Sequence, residues 1–160
     1  MHPSDRAPHV VLGATGGAGR AVVQELLDRG HPVRTVSRAH SDTLPPEVEQ
    51  HPADMLDREA AIAACSGAAV VYNCLNVPYA KWEELLPRLT ENSILAASQA
   101  HAPLIVTDNL YMYGPVDGPM TEETPRRPEG PKGRLRAELE ETLLTAHEQG
   151  RAAIAIGRAS

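Results

Sequence analysis

The feature that most limits how this chain can fold is a set of three glycines spaced three residues apart. The apolar run Val10–Leu12 leads into Gly13, Gly16 and Gly19, and a helix pattern with an apolar stripe follows. A strand that turns sharply needs a residue without a Cβ, and a helix that begins at the turn offers unpaired N–H groups and a positive dipole end to an anion. The spacing therefore predicts a strand–turn–helix unit that binds the pyrophosphate of a dinucleotide.

The residues around the glycines favour this prediction over an ordinary glycine-rich turn. The helix pattern ends at Gly30, and a second apolar run, Val33–Ser37, follows at once. A strand, a glycine turn, a helix and a strand within about thirty residues form the βαβ context that supports dinucleotide binding. The turn residues expected to contact the dinucleotide are Gly13, Ala14, Thr15, Gly16, Gly17 and Ala18.

Apolar runs alternate with helix patterns along the chain of 160 residues. The predicted strands are His9–Leu12, Val33–Ser37, Val48–His51, Ala69–Asn73, Leu104–Thr107 and Ala152–Ile156. The predicted helices are Gly17–Arg29, Arg58–Cys65, about Trp82–Ala100 and Lys132–Glu148. This alternation predicts an α/β Rossmann fold, a doubly wound parallel sheet of about six strands ordered 3-2-1-4-5-6. The length predicts a single domain, residues 1–160.

Two segments depart from the regular alternation. Pro87 lies inside the third helix pattern, where it is expected either to kink the helix or to begin its second part. The segment Tyr113–Pro131 is rich in proline and glycine and leaves the predicted carboxyl end of the fifth strand, the side on which doubly wound sheets bind ligands. We expect it to form part of the rim of a site, the alternative being a mobile linker.

Composition and charge argue against several functional classes. The net charge is −6 and no basic run occurs, which argues against nucleic acid as a partner. The chain shows neither a signal-peptide pattern nor an apolar run near the length of a bilayer span, so we predict a cytoplasmic protein with no membrane partner. Cys65 and Cys74 are predicted to be free thiols, and no spacing of cysteines and histidines indicates a metal site.

The end of the second strand predicts which dinucleotide is bound. NAD sites place an acid there, whereas NADP sites place an arginine that meets the 2′-phosphate. Ser37 and Arg38 occupy this position, and the first acid, Asp42, follows only later. We therefore predict NADP, with NAD as the alternative, and expect Arg20 and Arg34 to help; a solvated surface charge is the other interpretation of Arg38.

Five segments, in order along the chain, resemble the extended and atypical short-chain dehydrogenase/reductases, often called NAD-dependent epimerase/dehydratases. The similar segments are Gly13-x-x-Gly16-x-x-Gly19, Ala53-Asp54-Met55-Leu56-Asp57, Tyr72-Asn73-Cys74-Leu75-Asn76, Tyr111-Met112-Tyr113-Gly114-Pro115, and Pro119–Pro125 followed by Pro128. The resemblance covers essentially all 160 residues. Family members usually continue into a small C-terminal substrate lobe, which this chain is expected to lack.

The resemblance also implies roles for individual residues. It places Asp54 beside the adenine ring, with Met55 in the same segment, and it places Cys74, Leu75 and Asn76 along the nicotinamide ribose. Such proteins often pair through two long helices, which implies a possible homodimer. Tyr79 and Trp82 come just after the fourth strand, where they border a substrate or anchor the next helix.

The catalytic positions depart from the family pattern. Asn109 stands where family enzymes carry a serine or threonine, and the Tyr-x-x-x-Lys frame reads Lys132-x-x-x-Arg136. Lys132 could replace the phenol as a proton donor, since the ordinary pKa of lysine, about 10.4, is near that of tyrosine. Alternatively, Lys132, Arg136 and Glu140 form solvated pairs along the helix. Tyr113 could supply the missing phenol or pack beneath the cofactor.

Two hypotheses of different classes follow. The first is an oxidoreductase or epimerase-like enzyme with a non-standard active site, acting on a small carbonyl or sugar-like substrate. The second is a non-catalytic NADP(H)-binding sensor or regulatory module, which needs the glycine turn and Asp54 but not the phenol.

Overall fold

The structure is a computed structural model that describes residues 7–159, and its strands form a six-stranded parallel sheet. The strands are β1 (His9–Leu12), β2 (Val33–Ser37), β3 (Glu49–Pro52), β4 (Val70–Asn73), β5 (Leu104–Asp108) and β6 (Ile154–Arg158). Their order, β3-β2-β1-β4-β5-β6, confirms the predicted doubly wound sheet. Every neighbouring pair is parallel, so all six carboxyl ends meet at one edge of the sheet.

The helices confirm the predicted alternation. They are α1 (Gly17–Asp28), α2 (Arg58–Cys65), α3 (Trp82–Gln99) and α4 (Gly130–Glu148), with short 3₁₀ turns at Tyr79–Lys81 and Tyr111–Tyr113. Helix α4 begins two residues before the predicted start, because Pro131 fits the first turn, where its missing N–H is no loss. The idea that Pro87 begins a second segment is wrong, since α3 continues through it as one helix. Among residues 7–159, no helix is long and apolar enough to cross a membrane.

The sheet separates two apolar cores. Val10 and Leu12 face the larger core, which includes residues of α2, α3 and α4, whereas Val11 between them faces the smaller core with α1. All three side chains are fully buried, as expected where alternate residues of a strand point to opposite, covered faces. This two-sided burial explains why β1 appears in the sequence as a continuous apolar run.

Both cysteines are free and buried. Cys65 lies in the larger core, where burial raises the pKa of its thiol to about 12 and leaves it protonated and unreactive. Within the part of the chain that the structure describes, no group of three or more His, Cys, Asp and Glu side chains is placed to hold a metal ion.

Candidate functional site

The turn from β1 into α1 requires glycine at two positions for different reasons. Gly13 has a φ of 75°, and a Cβ there would lie 2.7 Å from the carbonyl oxygen of Cys74. A Cβ on Gly19 would overlap the carbonyl oxygen of Gly13 and lie 2.8 Å from the Cα of Ala14. A Cβ on Gly16, in contrast, would meet no protein atom closer than 3.5 Å. Gly13 and Gly19 therefore serve the fold, while the bare side of Gly16 leaves room for an approaching ligand.

The start of α1 is suited to an anion. Its N-cap is Gly16, no side chain caps it, and its first turn contains no acid. The first-turn N–H groups of a helix have no partner inside the helix, so they and the positive dipole end are available to a phosphate. Helix α2 differs, because the carboxylate of Asp57 accepts a hydrogen bond from the N–H of Ala60 there.

A cavity of about 470 Å³, the first cavity, lies at the carboxyl ends of β1 to β4 beside this turn. Its volume is within the range of small-molecule sites, and its position is where doubly wound sheets bind ligands. Eight of the predicted cofactor residues line it: Gly13, Thr15, Ser37, Arg38, Asp54, Met55, Leu75 and Asn76. Sequence reasoning missed other lining residues, among them His40, Ser41, Val77 and Pro78.

The remaining predicted cofactor residues lie in or under the glycine turn. Gly16, Gly17 and Ala18 are exposed at the start of α1, whereas Ala14 is fully buried. The side chain of Cys74 packs in the smaller core, where burial raises the pKa of its thiol. Cys74 therefore supports the turn through its backbone, and its side chain does not line the first cavity.

The end of the first cavity near β2 is basic. Arg38 and His40 line the cavity there and are exposed. Arg20 is not among the lining residues, and it donates hydrogen bonds to the carbonyl oxygen of Thr15 and, over 2.8 Å, to the hydroxyl of Thr43. Of the described residues that line this cavity, Asp54 is the one acid, and its carboxylate accepts a hydrogen bond from a backbone N–H in its own turn. The balance of charge at this end favours an anionic ligand group.

Arg34 does not belong to this basic end. Its guanidinium donates to the carboxylate of Glu49 and to the carbonyl oxygens of Ala64 and Ser66 at the end of α2. The expectation that Arg34 helps to bind a 2′-phosphate is therefore wrong, because these partners already hold its side chain away from the first cavity.

A second cavity, of about 540 Å³, adjoins the first along the segment after β4, since Pro78 lines the first cavity and Tyr79 the second. Both ends of the segment Tyr113–Pro131 contribute to its wall, as the prediction of a site rim requires. Its lining residues are Tyr79, Leu110, Tyr111, Gly114, Glu129, Gly130, Pro131, Lys132 and Gly133. Sequence reasoning had connected Tyr79, Lys132 and this segment with a site, but it missed Leu110 and Gly133.

Lys132 is the one predicted catalytic residue among the described residues that line the second cavity. Its Nζ lies 3.1 Å from Oε1 of Glu83 on α3 and 5.1 Å from the ring centre of Tyr79. The lysine side chain is mostly buried, but that of Glu83 is 57% exposed. Lys132 therefore lines the cavity with its ammonium group near the ring of Tyr79, another lining residue, and beside a counter-ion that solvent can reach.

Arg136 lies one helical turn further along α4 and lines neither cavity. Its guanidinium donates to the carboxylate of Asp108 over 3.0 Å and covers the ring of Trp82 at 4.1 Å. Burial raises the pKa of Asp108, an effect that the Asn109 backbone N–H and the positive charge of Arg136 partly oppose. Arg136 thus connects the end of β5 to α4 through a buried ion pair.

Tyr113 and Asn109 are also engaged by the fold. The Tyr113 side chain is buried, and its hydroxyl accepts a hydrogen bond from Arg158 of β6 over 3.1 Å. The amide oxygen of Asn109 accepts a hydrogen bond from the N–H of Tyr111 at the start of the 3₁₀ turn. Neither residue is among those that line the two cavities.

The expected solvated pairs along α4 do not form. Arg136 pairs with Asp108, while the buried carboxylate of Glu140 pairs with Arg158 and with Arg126 from the segment before α4. The interpretation of these side chains as simple helix pairs is therefore wrong, because each takes its partner from another element.

An aromatic cluster joins the second cavity to α3. The ring centre of Trp82 lies 4.9 Å from that of Tyr79 and 5.8 Å from that of Tyr111, and its indole N–H donates to the carbonyl oxygen of Val77. Trp82 therefore anchors the helix, as one of the two sequence interpretations had it. The chain contains four tyrosines, one tryptophan and no phenylalanine, so this concentration of rings was the available sequence signal for the cavity.

The first strand of this doubly wound sheet turns through a glycine-rich segment into a helix, and a cavity lies beside this turn at the carboxyl ends of the strands. Such an arrangement defines a dinucleotide-binding protein. A protein family described as NAD(P)H-binding matches residues 13–142. The chain belongs to this family.

Solved structures confirm the predicted resemblance. A short-chain dehydrogenase/reductase superfamily protein from Agrobacterium tumefaciens with bound NAD is 25% identical, with a TM-score of 0.79 over 94% of this chain and 48% of that one. A UDP-glucose 4-epimerase from Brucella ovis in complex with NAD is 17% identical, with a TM-score of 0.82 over 94% of this chain and 51% of that one, and it shares the fold. The chain spans about half the length of these structures.

A shorter similarity links the chain to an uncharacterized protein of Mycobacterium tuberculosis. The two are 38% identical over 64 residues, which are 40% of this chain and 8% of that protein.

Proposed function

We propose that this chain binds NADP(H) in the first cavity and holds a small carbonyl or sugar-like substrate in the second, as an oxidoreductase of epimerase/dehydratase type. The observation that carries the proposal is that one cavity connects the turn at Gly13 with Arg38 at one end and with Asn76 at the other. The pyrophosphate would then lie at the start of α1, the adenosine beside Arg38 and Asp54, and the nicotinamide toward the second cavity.

The preference for NADP(H) rests on the basic end of the first cavity. The guanidinium of Arg38 is exposed, and hydroxyl groups lie near it in the segment from Ser37 to Thr43. A guanidinium pairs with a phosphate through charge-assisted hydrogen bonds, whereas it has no comparable partner in the plain ribose of NAD. No acid ends β2 to bind the ribose hydroxyls.

Arg38→Glu is expected to weaken NADPH binding by about 10- to 100-fold, because it removes a charge-assisted hydrogen bond and repels the 2′-phosphate. NADH, which lacks that phosphate, should bind with nearly unchanged affinity. Isothermal titration calorimetry with both dinucleotides measures the two effects. Arg88→Glu is the matched control, since it makes the same charge change at an exposed position that lines neither cavity. Equal losses for NADPH and NADH in Arg38→Glu would contradict the preference.

Gly16→Ala tests the pyrophosphate position independently. A Cβ there meets no protein atom closer than 3.5 Å, so the free energy of unfolding should change by less than about 0.5 kcal/mol. The same methyl group would stand between the main chain and the phosphates, so NADPH and NADH affinities should both fall by about tenfold or more. Calorimetry and urea denaturation on the same preparation separate the two quantities, and undiminished binding of both dinucleotides would contradict this placement.

The chemistry at the second cavity would depend on Lys132. A bound nicotinamide supplies or accepts a hydride at the substrate carbon. Lys132, whose ammonium group faces the second cavity, would donate a proton to the carbonyl oxygen as it gains charge and would stabilise that charge before the transfer. Carbonyl reduction then balances, because the hydride carries both electrons to carbon and the ammonium proton goes to oxygen.

A specific observation favours the second candidate, a non-catalytic NADP(H)-binding module. The Tyr113 phenol is buried and hydrogen-bonded to Arg158, and Arg136 is paired with Asp108. Neither group is therefore available at the first or the second cavity. A panel of aldehydes, ketones and nucleotide sugars, assayed by NADPH oxidation with the wild type and Lys132→Met, separates the candidates. Turnover that Lys132→Met lowers supports the enzyme, and tight NADPH binding without turnover on any member supports the module.

A further inference from the structure

Two tyrosine rings with about half of their surface exposed line the second cavity. Tyr79 is 55% exposed and Tyr111 is 48% exposed, and they are the two most exposed large apolar side chains among the described residues. Both line the second cavity. Exposed apolar side chains that gather around a concave surface are typical of ligand sites rather than of ordinary protein surface.

The two tyrosines stand on a firmly packed base. Trp82, which contacts both rings, is buried and hydrogen-bonded to the main chain. A Cβ on Gly133 would lie 2.9 Å from the carbonyl oxygen of Tyr111, so α4 packs tightly on the turn that carries this tyrosine. Gly114, which follows this turn, makes a still closer approach to the main chain of Arg127. The aromatic wall is therefore preformed, which lowers the entropy cost of binding a flat ring.

The charges around the cavity select the polar part of the ligand. The Nζ of the lining residue Lys132 is a hydrogen-bond donor, and the side chain of its counter-ion Glu83 is 57% exposed. A second acid, Glu129, is among the residues that line the cavity. Two acids beside one cation disfavour a ligand that brings a further negative charge, but a neutral carbonyl oxygen can accept a hydrogen bond from the ammonium group without that repulsion.

We propose that the second cavity binds neutral, planar aromatic carbonyl compounds, with the ring against Tyr79 and Tyr111 and the carbonyl oxygen hydrogen-bonded to Lys132. The inference rests on the proposed function, because it names the substrate class of the same site. The proposed site differs from a general carbonyl site because its ligand must carry a flat ring.

The fluorescence of Trp82 tests the inference directly, because this residue is the sole tryptophan of the chain and contacts both tyrosines. The probes are benzamide and cyclohexanecarboxamide, which carry the same unreactive carbonyl group on a flat and a puckered ring. Each is titrated with and without saturating NADP⁺, which does not absorb the tryptophan emission. Benzamide should bind about five- to tenfold more tightly, the difference that two ring contacts supply.

Variants of the two tyrosines test whether benzamide binds at the second cavity. Tyr79→Leu and Tyr111→Leu change exposed side chains, so the fold should remain intact, and each should reduce the preference for benzamide by about two- to threefold. Leu144→Ala alters an exposed apolar side chain that does not line the second cavity, and it should leave the preference unchanged. Equal affinity for the two amides, no detectable binding of benzamide, or a preference that survives both tyrosine variants would overturn the inference.

The same samples also distinguish failure of the aromatic-ligand inference from failure of the proposed function. Calorimetry with NADP⁺ reports on the first cavity alone. Intact NADP⁺ binding without an amide preference would overturn only the ligand class, whereas loss of NADP⁺ binding with an intact amide preference would overturn the proposed function and leave the aromatic site standing.

Discussion

Arg136→Met is expected to lower the free energy of unfolding by about 3–5 kcal/mol at neutral pH. Asp108, whose side chain is 6% exposed, would lose the guanidinium that now lies 3.0 Å from its carboxylate. Methionine keeps an apolar stem beside the ring of Trp82, so most of the loss comes from an unpaired buried charge rather than from lost volume. Urea denaturation followed by circular dichroism measures the change.

The dependence on pH identifies the cause of this loss. Burial already raises the pKa of Asp108 in the native protein, and removal of Arg136 raises it further. An acid with a higher pKa in the folded than in the unfolded state stabilises the fold at low pH, and this contribution is lost as pH rises through the folded-state pKa. Lowering the pH should therefore restore part of the stability of Arg136→Met.

A second variant serves as the control. Asp108→Asn combined with Arg136→Met removes both charges, and it should recover at least about half of the loss, because no ionised carboxylate is left buried. A deficit in Arg136→Met that neither low pH nor Asp108→Asn reduces would show that packing, rather than the ion pair, is the cause.

The fold could be predicted closely because its signals are local. The turn after β1 needs glycine at Gly13 and Gly19 for contacts within a few residues or across one neighbouring strand, and the apolar run of β1 reflects burial on both faces. Such patterns can be recognised in the sequence without knowledge of contacts between residues that are distant along the chain. The proposed cofactor cavity follows from the same signals, since the ends of parallel strands must meet at one edge of the sheet.

The surroundings of the second cavity could not be predicted in the same way, because the side chains there take partners that are distant in the sequence. Helical spacing alone predicts that Arg136 and Glu140 pair with each other, but β5 and β6 bring Asp108 and Arg158 to them instead. Arg34 likewise has the charge that a phosphate requires and is held by Glu49 on β3. A sequence pattern gives the face of an element, and only the tertiary arrangement gives the partner.

The same difference between sequence spacing and tertiary contacts applies to the two cations that replace the Tyr-x-x-x-Lys residues of the family pattern. Comparison with the family pattern places two cations at Lys132 and Arg136, but the structure gives the two side chains different surroundings. Lys132 faces a cavity, whereas Arg136 fixes the position of α4 against β5 and Trp82. We therefore regard Lys132 as the one candidate of this pair for contact with a substrate, and Arg136 as a positioning residue.

Gly19→Ala is expected to lower the free energy of unfolding by about 3 kcal/mol, the upper part of the range for overpacking a core. A Cβ at this position would overlap the carbonyl oxygen of Gly13 and approach the Cα of Ala14 to 2.8 Å. Both atoms belong to the main chain of the turn, so no side-chain rotation relieves the clash. Helix α1 would have to move away from β1, and urea denaturation should show the cost.

Gly17→Ala is the matched control for the effect of adding a methyl group to the same helix. Apart from its chain neighbours and the backbone of the same helix, no atom lies within 4 Å of a Cβ at this position. Alanine favours helix over glycine by up to about 1 kcal/mol, so the variant should be as stable as the wild type or slightly more stable. Because movement of α1 also displaces the N–H groups that would meet the pyrophosphate, Gly19→Ala should lose NADPH affinity together with stability. Gly16→Ala should lose affinity alone. If Gly19→Ala were as stable as Gly17→Ala, the close contact between α1 and the turn would not exist as described, and the pyrophosphate site built on it would have to be abandoned.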